Sequence, residues 1–209
     1  MQKTKRIGDS RALGRSFHAD VFICGDPRAR LVLFGGSGVT REKYESRAST
    51  ITAQFDRALE EIASHGLAFE LWYLTSPYDV ELRRIPEDDE LAEKWTNHVH
   101  TDVMGDERVA YLWGYSGSAP LALTVANRLG DKCLGGGALG GDALSDELYR
   151  PEHWGEPIAL YYNAGDRVYG ANQRVITSLV RDRQAAVYRA RPGGHSLEDY
   201  VARTARSRR

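Results

Sequence analysis

The chain has 209 residues with 28 basic and 29 acidic side chains, which leaves a formal net charge of −1 at pH 7. Its length suits one globular domain, which we predict to span residues 1–209. Because the charges nearly cancel, neither a nucleic-acid backbone nor an anionic membrane surface is an expected partner. No apolar run reaches the ~18 residues of a membrane span and no signal peptide is recognisable, so we expect a soluble protein.

The first predicted elements are strands. The segment "DVFICGDPRARLVLFGG" contains two apolar runs separated by Gly25, Asp26 and Pro27, so we predict antiparallel strands at a sheet edge. The second run is continuously apolar, which is typical of a strand buried on both faces. Over residues 44–66 apolar side chains recur at helical spacing, which predicts a helix ending at Gly66. The basic stretches "MQKTKR" and "ARTARSRR" are expected to be solvated tails.

Strand and helix patterns then alternate. We predict a strand at "AFELWYLTSP", a helix over residues 88–104, a strand at "RVAYLWGYSG" and a helix at "SAPLALTVANRLG". Further strands are predicted at "KCLGGGALGG", "EPIALYYNAGD" and "AAVYRARPGG", and further helices at "ANQRVITSLVRDR" and "SLEDYVARTAR". This alternation predicts an α/β fold with a mostly parallel sheet and helices on both faces.

Glycine clusters indicate where a ligand would bind. They lie at residues 35–38, 114–117, 135–141 and 193–194, each at the carboxyl end of a predicted strand. In an open parallel sheet this is the edge at which ligands bind. We therefore expect the functional site at the carboxyl edge of the sheet.

The cysteines and most histidines predict no metal site. Cys24 and Cys133 lie in apolar, strand-like sequence and are expected to be buried free thiols, which favours a cytoplasmic location. His98 and His100 are two positions apart on a predicted helix and face different sides, so they do not form a metal-binding pair.

The segment "YLWGYSGSAP" leads from a predicted strand into a predicted helix through Gly114, Ser116 and Gly117. One interpretation is a tight turn with a purely structural role. The other is that Ser116 is a nucleophile on a sharp strand-to-helix turn, which requires small neighbours. The segment resembles the nucleophile elbow of the α/β-hydrolase family, whose usual pattern is G-x-S-x-G. Here Ser118 occupies the position of the last glycine.

The resemblance implies the α/β-hydrolase fold and a triad in the chain order serine, acid, histidine. Asp166 in "NAGDR" follows the penultimate predicted strand and His195 in "RPGGHS" follows the last, where the family has its acid and its histidine. In such a triad the imidazole takes the serine proton and the carboxylate orients the imidazole. Asp142 is the alternative acid, and Asp166 is also a candidate helix cap.

Further site residues follow from the same resemblance. The N–H of Gly117 is a candidate oxyanion donor, and the resemblance implies a second donor near Ser37 in "FGGSG". Tyr115 and Trp154 are the predicted substrate contacts. Only about fifteen residues separate "LGG" from "PIALYY", too few for a helical cap domain, so we expect an open site without a lid.

These expectations combine into a cytoplasmic serine hydrolase that cleaves a small-molecule carboxylic ester or thioester through an acyl-enzyme. The triad and oxyanion donors suffice for this chemistry, so no metal or organic cofactor is expected. Two alternatives use the same residues or the same fold. One is an acyltransferase, in which an alcohol or amine displaces water at the acyl-enzyme. The other is a noncatalytic binding protein.

Overall fold

The computed structural model of the chain describes residues 2–27, 30–36, 59–60, 63–64, 66, 68–75, 88–105, 110–142, 144, 158–190, 193–196 and 200. Eight strands in this part of the chain form one sheet. Their bounds are β1 Gln2–Ser10, β2 Arg15–Cys24, β3 Arg30–Phe34, β4 Phe69–Thr75, β5 Ala110–Tyr115, β6 Cys133–Leu139, β7 Ile158–Asn163 and β8 Ala185–Ala190. Across the sheet the order is β1-β2-β4-β3-β5-β6-β7-β8.

The sheet is parallel except at its N-terminal edge. β2 pairs antiparallel with both β1 and β4. Every other neighbouring pair, from β4 and β3 to β7 and β8, is parallel. β3 and β5 lie near the middle, consistent with their apolar sequences. The predicted mostly parallel sheet with antiparallel strands at the N-terminal edge is confirmed.

The pairing at this edge differs in detail from the prediction. The predicted turn at residues 25–27 does not close a hairpin, because β3 lies beyond β4 rather than beside β2. The hairpin partner of β2 is β1, and the turn between them contains Gly14 with a φ of +64°. The expected tail "MQKTKR" is thus part of an edge strand from Gln2 onwards. Pairing with the more apolar β2, rather than intrinsic strand preference, accounts for this.

The helix predicted over residues 88–104 is confirmed. Helix α1, Asp89–His98, begins where the Asp88 carboxylate accepts a hydrogen bond from the N–H of Leu91 at 3.0 Å. It continues as a π-helix over Val99–Met104. The buried side chains of this unit include Ala92, Trp95, Val99 and Val103.

Two further helices are described in full. Helix α2 spans Ala119–Leu129 and helix α3 spans Arg167–Arg181. α3 begins before its predicted start because the Asp166 carboxylate accepts from the N–H of Val168 at 2.8 Å and caps the helix. Within the predicted helix 44–66, residues 59–60 and 63–64 are helical, and its remaining turns lie outside the described residues. Most of the predicted closing helix also lies outside them.

Helices or helical residues cover both faces of the sheet. On one face α1 and α2 pack over the side chains of β2, β3, β4 and β5. On the other face Leu59 and Tyr200 pack over Leu33, Tyr73 and Tyr115. Cys133 is buried and Cys24 is half-buried, and both are free thiols. Among the described residues, no helix has the length and apolar character needed to cross a bilayer.

Candidate active site

Ser116 lies on a sharp turn between β5 and α2. Ser116–Ser118 form one 3-10 turn, and α2 follows directly. The φ of Ser116 is +55°, a left-handed conformation that costs a non-glycine residue roughly 1–2 kcal/mol. The turn leaves no space for a side chain at Gly114, where a Cβ would lie 2.4 Å from the Cα of Ala119. The backbone thus holds Ser116, which is half-buried, at the tip of the turn.

Ser118 stands where the family pattern has its last glycine, and its hydroxyl is bonded within the turn. Its Oγ accepts from the N–H of Tyr115 at 3.0 Å and lies 2.8 Å from the Tyr115 carbonyl. The same hydroxyl lies 2.9 Å from the carbonyl of Phe34, the last residue of β3. The departure from the pattern therefore links the turn to the neighbouring strand.

Three side chains from three strand ends meet at the carboxyl edge of the sheet. Nε2 of His195 lies 2.7 Å from Oγ of Ser116, and Nδ1 lies 2.8 Å from Oδ2 of Asp166. A carboxylate only accepts hydrogen bonds, so this network assigns the imidazole proton to Nδ1 and leaves Nε2 to accept from the serine hydroxyl. The Asp166 side chain is fully buried, whereas 26% of the His195 side chain is exposed. In this arrangement His195 can take the proton of the Ser116 hydroxyl and give it to a molecule that binds beside the exposed part of the imidazole.

Asp166 rather than Asp142 faces the imidazole. The Asp166 carboxylate accepts from the N–H of Val168, from His195 and from the phenol of Tyr200, the last at 2.5 Å. These three donors compensate for removing the carboxylate from water. Asp142 is half-buried on the loop after β6, where its backbone N–H donates to the carbonyl of Ser116 at 3.1 Å.

Two side chains hold the segment that carries His195. The Tyr115 hydroxyl donates to the His195 carbonyl at 3.0 Å, and the two rings stack with centroids 5.5 Å apart. Nδ2 of Asn163 donates to the carbonyl of Gly194 at 2.9 Å. The backbone on both sides of the imidazole is therefore tied to the ends of β5 and β7.

The backbone beside Ser116 has groups suited to an oxyanion. The N–H of Gly117 lies in the first turn of a helix, where such groups have no partner within the helix. Gly36, after β3, lies alongside Ser116, since a Cβ there would be 3.6 Å from Cβ of Ser116. It would also be 2.9 Å from the ring of Tyr115. Ser37, the predicted second donor, lies outside the described residues.

The two predicted substrate contacts have different outcomes. Tyr115 is buried, with its ring against His195 and Tyr200, so the contacts observed are with the site itself. Its contact with a substrate stays a prediction. Trp154 lies outside the described residues, as does most of the connection on which the prediction of a lidless site depends.

Sequence reasoning missed Tyr200 and Asn163. An asparagine at the end of a buried strand, in "LYYNAGD", was an available signal, because a buried amide needs hydrogen-bond partners. Tyr200 offered no comparable signal, since an aromatic residue on a closing helix is usually part of the core. Its contact with Asp166 is a tertiary one, between residues 34 positions apart.

Burial keeps two phenols near the site protonated. Burial raises the pKa of Tyr200, and its hydrogen bond to Asp166 raises that pKa further. Burial also raises the pKa of Tyr162, with the negative charges of Asp166 and Asp142 as further causes. Tyr162 donates to the carbonyl of Gly141 at 2.8 Å. Both side chains thus act as hydrogen-bond donors throughout the ordinary pH range.

The histidines outside this site have separate environments. Nδ1 of His98 lies 2.8 Å from Oδ2 of Asp102 and 3.0 Å from Oγ of Ser10, whereas His100 contacts the Lys132 ammonium. Among the described residues, no three His, Cys, Asp or Glu side chains are grouped so that they could hold a metal ion.

No protein-family model and no curated protein matches the chain. Solved structures match it over nearly its whole length. A protein described as a predicted CIB-like hydrolase, from Thermoplasma acidophilum, superposes with a TM-score of 0.68 at 14% identity, covering 99% of this chain and 97% of its own. An S-formylglutathione hydrolase from Staphylococcus aureus superposes with a TM-score of 0.61 at 15% identity, covering 98% of this chain and 95% of its own.

A third similar structure, from Xanthomonas campestris, is described as an α/β serine hydrolase without a lid. Its TM-score is 0.61 at 12% identity, and the superposition covers 96% of this chain and 89% of its own. At identities this low the similarity establishes the fold alone. The chain has the α/β-hydrolase fold, as the resemblance of its sequence implied.

Proposed function

We propose that this protein is a serine hydrolase that cleaves a carboxylic ester or a thioester of a small molecule. The observation that carries the proposal is a chain of two hydrogen bonds, from Ser116 to His195 at 2.7 Å and from His195 to Asp166 at 2.8 Å. It lies at the edge of a parallel sheet at which ligands bind in this architecture. The hydrolase names of structures with the same fold support the general class.

In the proposed acylation step, Oγ of Ser116 attacks the acyl carbonyl while Nε2 of His195 takes the serine proton. Asp166 keeps the proton on Nδ1 and stabilises the imidazolium that forms. The N–H of Gly117 and a second donor near Ser37 hold the oxyanion of the tetrahedral intermediate. His195 then gives its proton to the leaving alcohol or thiol, and the acyl group remains on Ser116.

Water completes the cycle. His195 takes a proton from water as the oxygen attacks the acyl-enzyme, and it returns the proton to Ser116 as the acid leaves. This proton transfer needs the imidazole to reach solvent, and 26% of the His195 side chain is exposed. An alcohol or amine that replaced water at this step would make the protein an acyltransferase.

Both esters and thioesters fit the proposed chemistry. Each has a carbonyl that Ser116 attacks and a leaving group that accepts the His195 proton. Among proteins of similar structure, one is named for a thioester substrate, S-formylglutathione, and another is an enterochelin esterase from Shigella flexneri. A tenfold preference between the classes corresponds to about 1.4 kcal/mol of transition-state binding.

A fluorophosphonate probe tests the proposal without a known substrate. We expect the wild-type protein to be labelled at Ser116, Ser116→Ala to remain unlabelled, and His195→Ala to react far more slowly. Ser16→Ala is a matched control, because Ser16 has an exposed hydroxyl that bonds to Asp9 and lies on β2, which β4 and β3 separate from β5 in the sheet. Its labelling should equal that of the wild type.

Hydrolysis of short and medium acyl esters and acyl thioesters, followed by release of the acid, gives the substrate class. Added alcohols and amines test transfer in the same assay. A folded protein that neither reacts with the probe nor hydrolyses any member of the panel would contradict the proposal and favour a noncatalytic binding protein.

A further inference from the structure

The phenol of Tyr200 contacts Asp166, the acid of the site. Its hydroxyl lies 2.5 Å from Oδ2 of Asp166, the same oxygen that accepts from Nδ1 of His195. Tyr200 is 3% exposed and packs against the same face of the sheet as Tyr115. A buried phenol thus meets a buried carboxylate at the atom that orients the imidazole.

We propose that Tyr200 is a positioning residue for the reaction, which holds Asp166 in place and limits the charge that Oδ2 presents to His195. This inference rests on the proposed function, because it assigns Tyr200 a role through the acid of that triad. The Tyr200 hydroxyl acts through Asp166, whose Oδ2 it contacts, and the Tyr200 ring lies edge-on to the His195 ring with centroids 6.5 Å apart.

The direction of the hydrogen bond follows from the other partner of Tyr200. The phenol oxygen accepts from the backbone N–H of Asn163 at 3.1 Å. A hydroxyl has a single proton, which points away from that donor and towards the carboxylate. Burial raises the pKa of Tyr200, so the proton is retained. Tyr200 is therefore a permanent donor to Asp166.

The two oxygens of Asp166 are fixed by different elements. Oδ1 is held by the N–H of Val168, in the first turn of α3. Oδ2 is shared between Tyr200 and His195. The three donors to Asp166 are the N–H of Val168, Nδ1 of His195 and the Tyr200 hydroxyl. Without the Tyr200 hydroxyl, Oδ2 would keep only His195 from this set, and the carboxylate could rotate with the imidazole. Small displacements at a reacting centre cost about 100-fold in rate in the worst cases.

The phenol also changes the electrostatics of the pair. A hydrogen bond to Oδ2 stabilises the carboxylate charge and so reduces its pull on the imidazolium of His195. Removing the donor leaves more negative charge facing Nδ1. The imidazolium form would then persist to higher pH, where it cannot take a proton from Ser116.

The test compares Tyr200→Phe with Tyr162→Phe. Both variants remove a buried phenol, but Tyr162 donates to the Gly141 carbonyl and not to the triad. For Tyr200→Phe we expect kcat to fall about tenfold with little change in KM, and the acid limb of kcat/KM against pH to move up by about 0.5 unit. For Tyr162→Phe the acid limb should stay where it is in the wild type. Urea unfolding of both variants shows that each is folded.

A double variant identifies the route. In an Asp166→Asn background the carboxylate is gone, so adding Tyr200→Phe should cause no further loss in the rate of fluorophosphonate labelling. An equal loss in both backgrounds would mean that Tyr200 acts through the general packing of the site. An unchanged kcat and an unchanged pH profile in Tyr200→Phe would also overturn the inference.

An NMR titration separates this inference from the proposed function. The imidazole signals of His195, assigned by comparison with His195→Gln, report its protonation without turnover. We expect their midpoint to move to higher pH in Tyr200→Phe and not in Tyr162→Phe. A midpoint that does not move refutes the role of Tyr200, whether or not the protein hydrolyses esters. Loss of the proposed function would instead show as an unreactive Ser116 in the folded wild type.

Discussion

Tyr115 makes two separable contacts with His195, one through its hydroxyl and one through its ring. The hydroxyl bonds to the His195 carbonyl at 3.0 Å, and the ring stacks on the imidazole at an interplanar angle of 24°. The hydroxyl fixes the backbone of the segment, and the ring limits the tilt of the imidazole. A residue first considered as a substrate contact therefore has a second, internal candidate role.

Tyr115→Phe removes only the hydroxyl. Such a bond contributes about 1 kcal/mol, so we expect the rate of fluorophosphonate labelling at Ser116 to fall about fivefold. Tyr115→Leu also removes the stacked ring and should label more slowly still. Tyr188→Phe is the control, because Tyr188 is an exposed tyrosine on β8. If the Tyr115 variants label normally and change only the KM of bulky esters, the residue contacts substrate and does not position His195.

Ser116 and Ser118 divide two roles in one short turn. Ser116 takes the strained left-handed conformation at the tip of the turn, and Ser118 bonds that turn to the carbonyl of Phe34. Serine at position 118 thus supplies hydrogen bonds that a glycine there would lack.

At the scale of elements, the unit formed by α1 and its π-helical extension is tied to β1 by a buried polar cluster. Nδ1 of His98 lies between Asp102 on the π-helix and Ser10 at the end of β1. Burial lowers the pKa of His98, and Asp102 only partly offsets this effect. Burial by itself would raise the pKa of Asp102, but the hydrogen bonds from Ser10 and His98 outweigh it and the pKa is lowered.

This cluster predicts a loss of stability on mild acidification. Below the ordinary His98 pKa of 6.5 the unfolded chain takes up a proton that the buried imidazole does not, so the free energy of unfolding falls as the pH falls. Asp102 contributes only in the more acidic range below its ordinary pKa of 3.8.

Urea unfolding between about pH 7 and 5 should show the fall in the free energy of unfolding in the wild type and a smaller fall in His98→Gln. Identical slopes in the two proteins would contradict this account.

At the scale of the whole molecule, the two ends of the parallel strands have different polar groups. The carboxyl edge has the polar site, whereas a buried ion pair joins the amino ends of β3 and β4. Arg30 bonds to both oxygens of Glu70 at 3.1 Å, and its guanidinium lies 4.7 Å from the centroid of the Trp72 ring. Trp72 also donates to Glu70 at 2.8 Å. Stability and reactivity should therefore respond to different substitutions.

Glu70→Gln replaces the carboxylate to which the buried Arg30 guanidinium bonds with a neutral amide. We expect the free energy of unfolding to fall by about 3 kcal/mol, because changing one partner of a buried ion pair is strongly destabilising. In native conditions the rate of Ser116 labelling should be unchanged. The double variant Arg30→Met with Glu70→Leu removes both charges and should be more stable than Glu70→Gln. Urea unfolding measures these differences, and a Glu70→Gln variant as stable as the wild type would contradict them.

The proximity of Ser116, Asp166 and His195 was predictable because a parallel sheet brings the carboxyl ends of its strands to one edge. Which carboxylate faces Nδ1 was not predictable from that argument, since Asp142 and Asp166 both follow strands. The structure shows that Asp166 is fixed as the cap of α3, which directs it towards the imidazole. The parallel sheet itself followed from the alternation of apolar strands and amphipathic helices.

The contacts that sequence reasoning missed are long-range ones without a local pattern. The strand β1 forms from a charged segment because β2 supplies its hydrogen bonds, and no periodicity within β1 indicates this. The bond between Tyr200 and Asp166 likewise depends on how Tyr200 packs over the sheet. Hydrophobic periodicity in the sequence predicts individual strands and helices, whereas these contacts form only once distant parts of the chain pack together.

The separation of Ser116 and His195 along the chain has a kinetic consequence. Their side chains meet across 79 positions, whereas α2, directly after Ser116, depends on local contacts. Local helices form early in folding and distant pairings form late. A partly folded chain that contains α2 but has not yet brought His195 to Ser116 should therefore not react with the fluorophosphonate probe. The time at which Ser116 becomes reactive towards a fluorophosphonate during refolding would therefore report when the segment after the last strand docks.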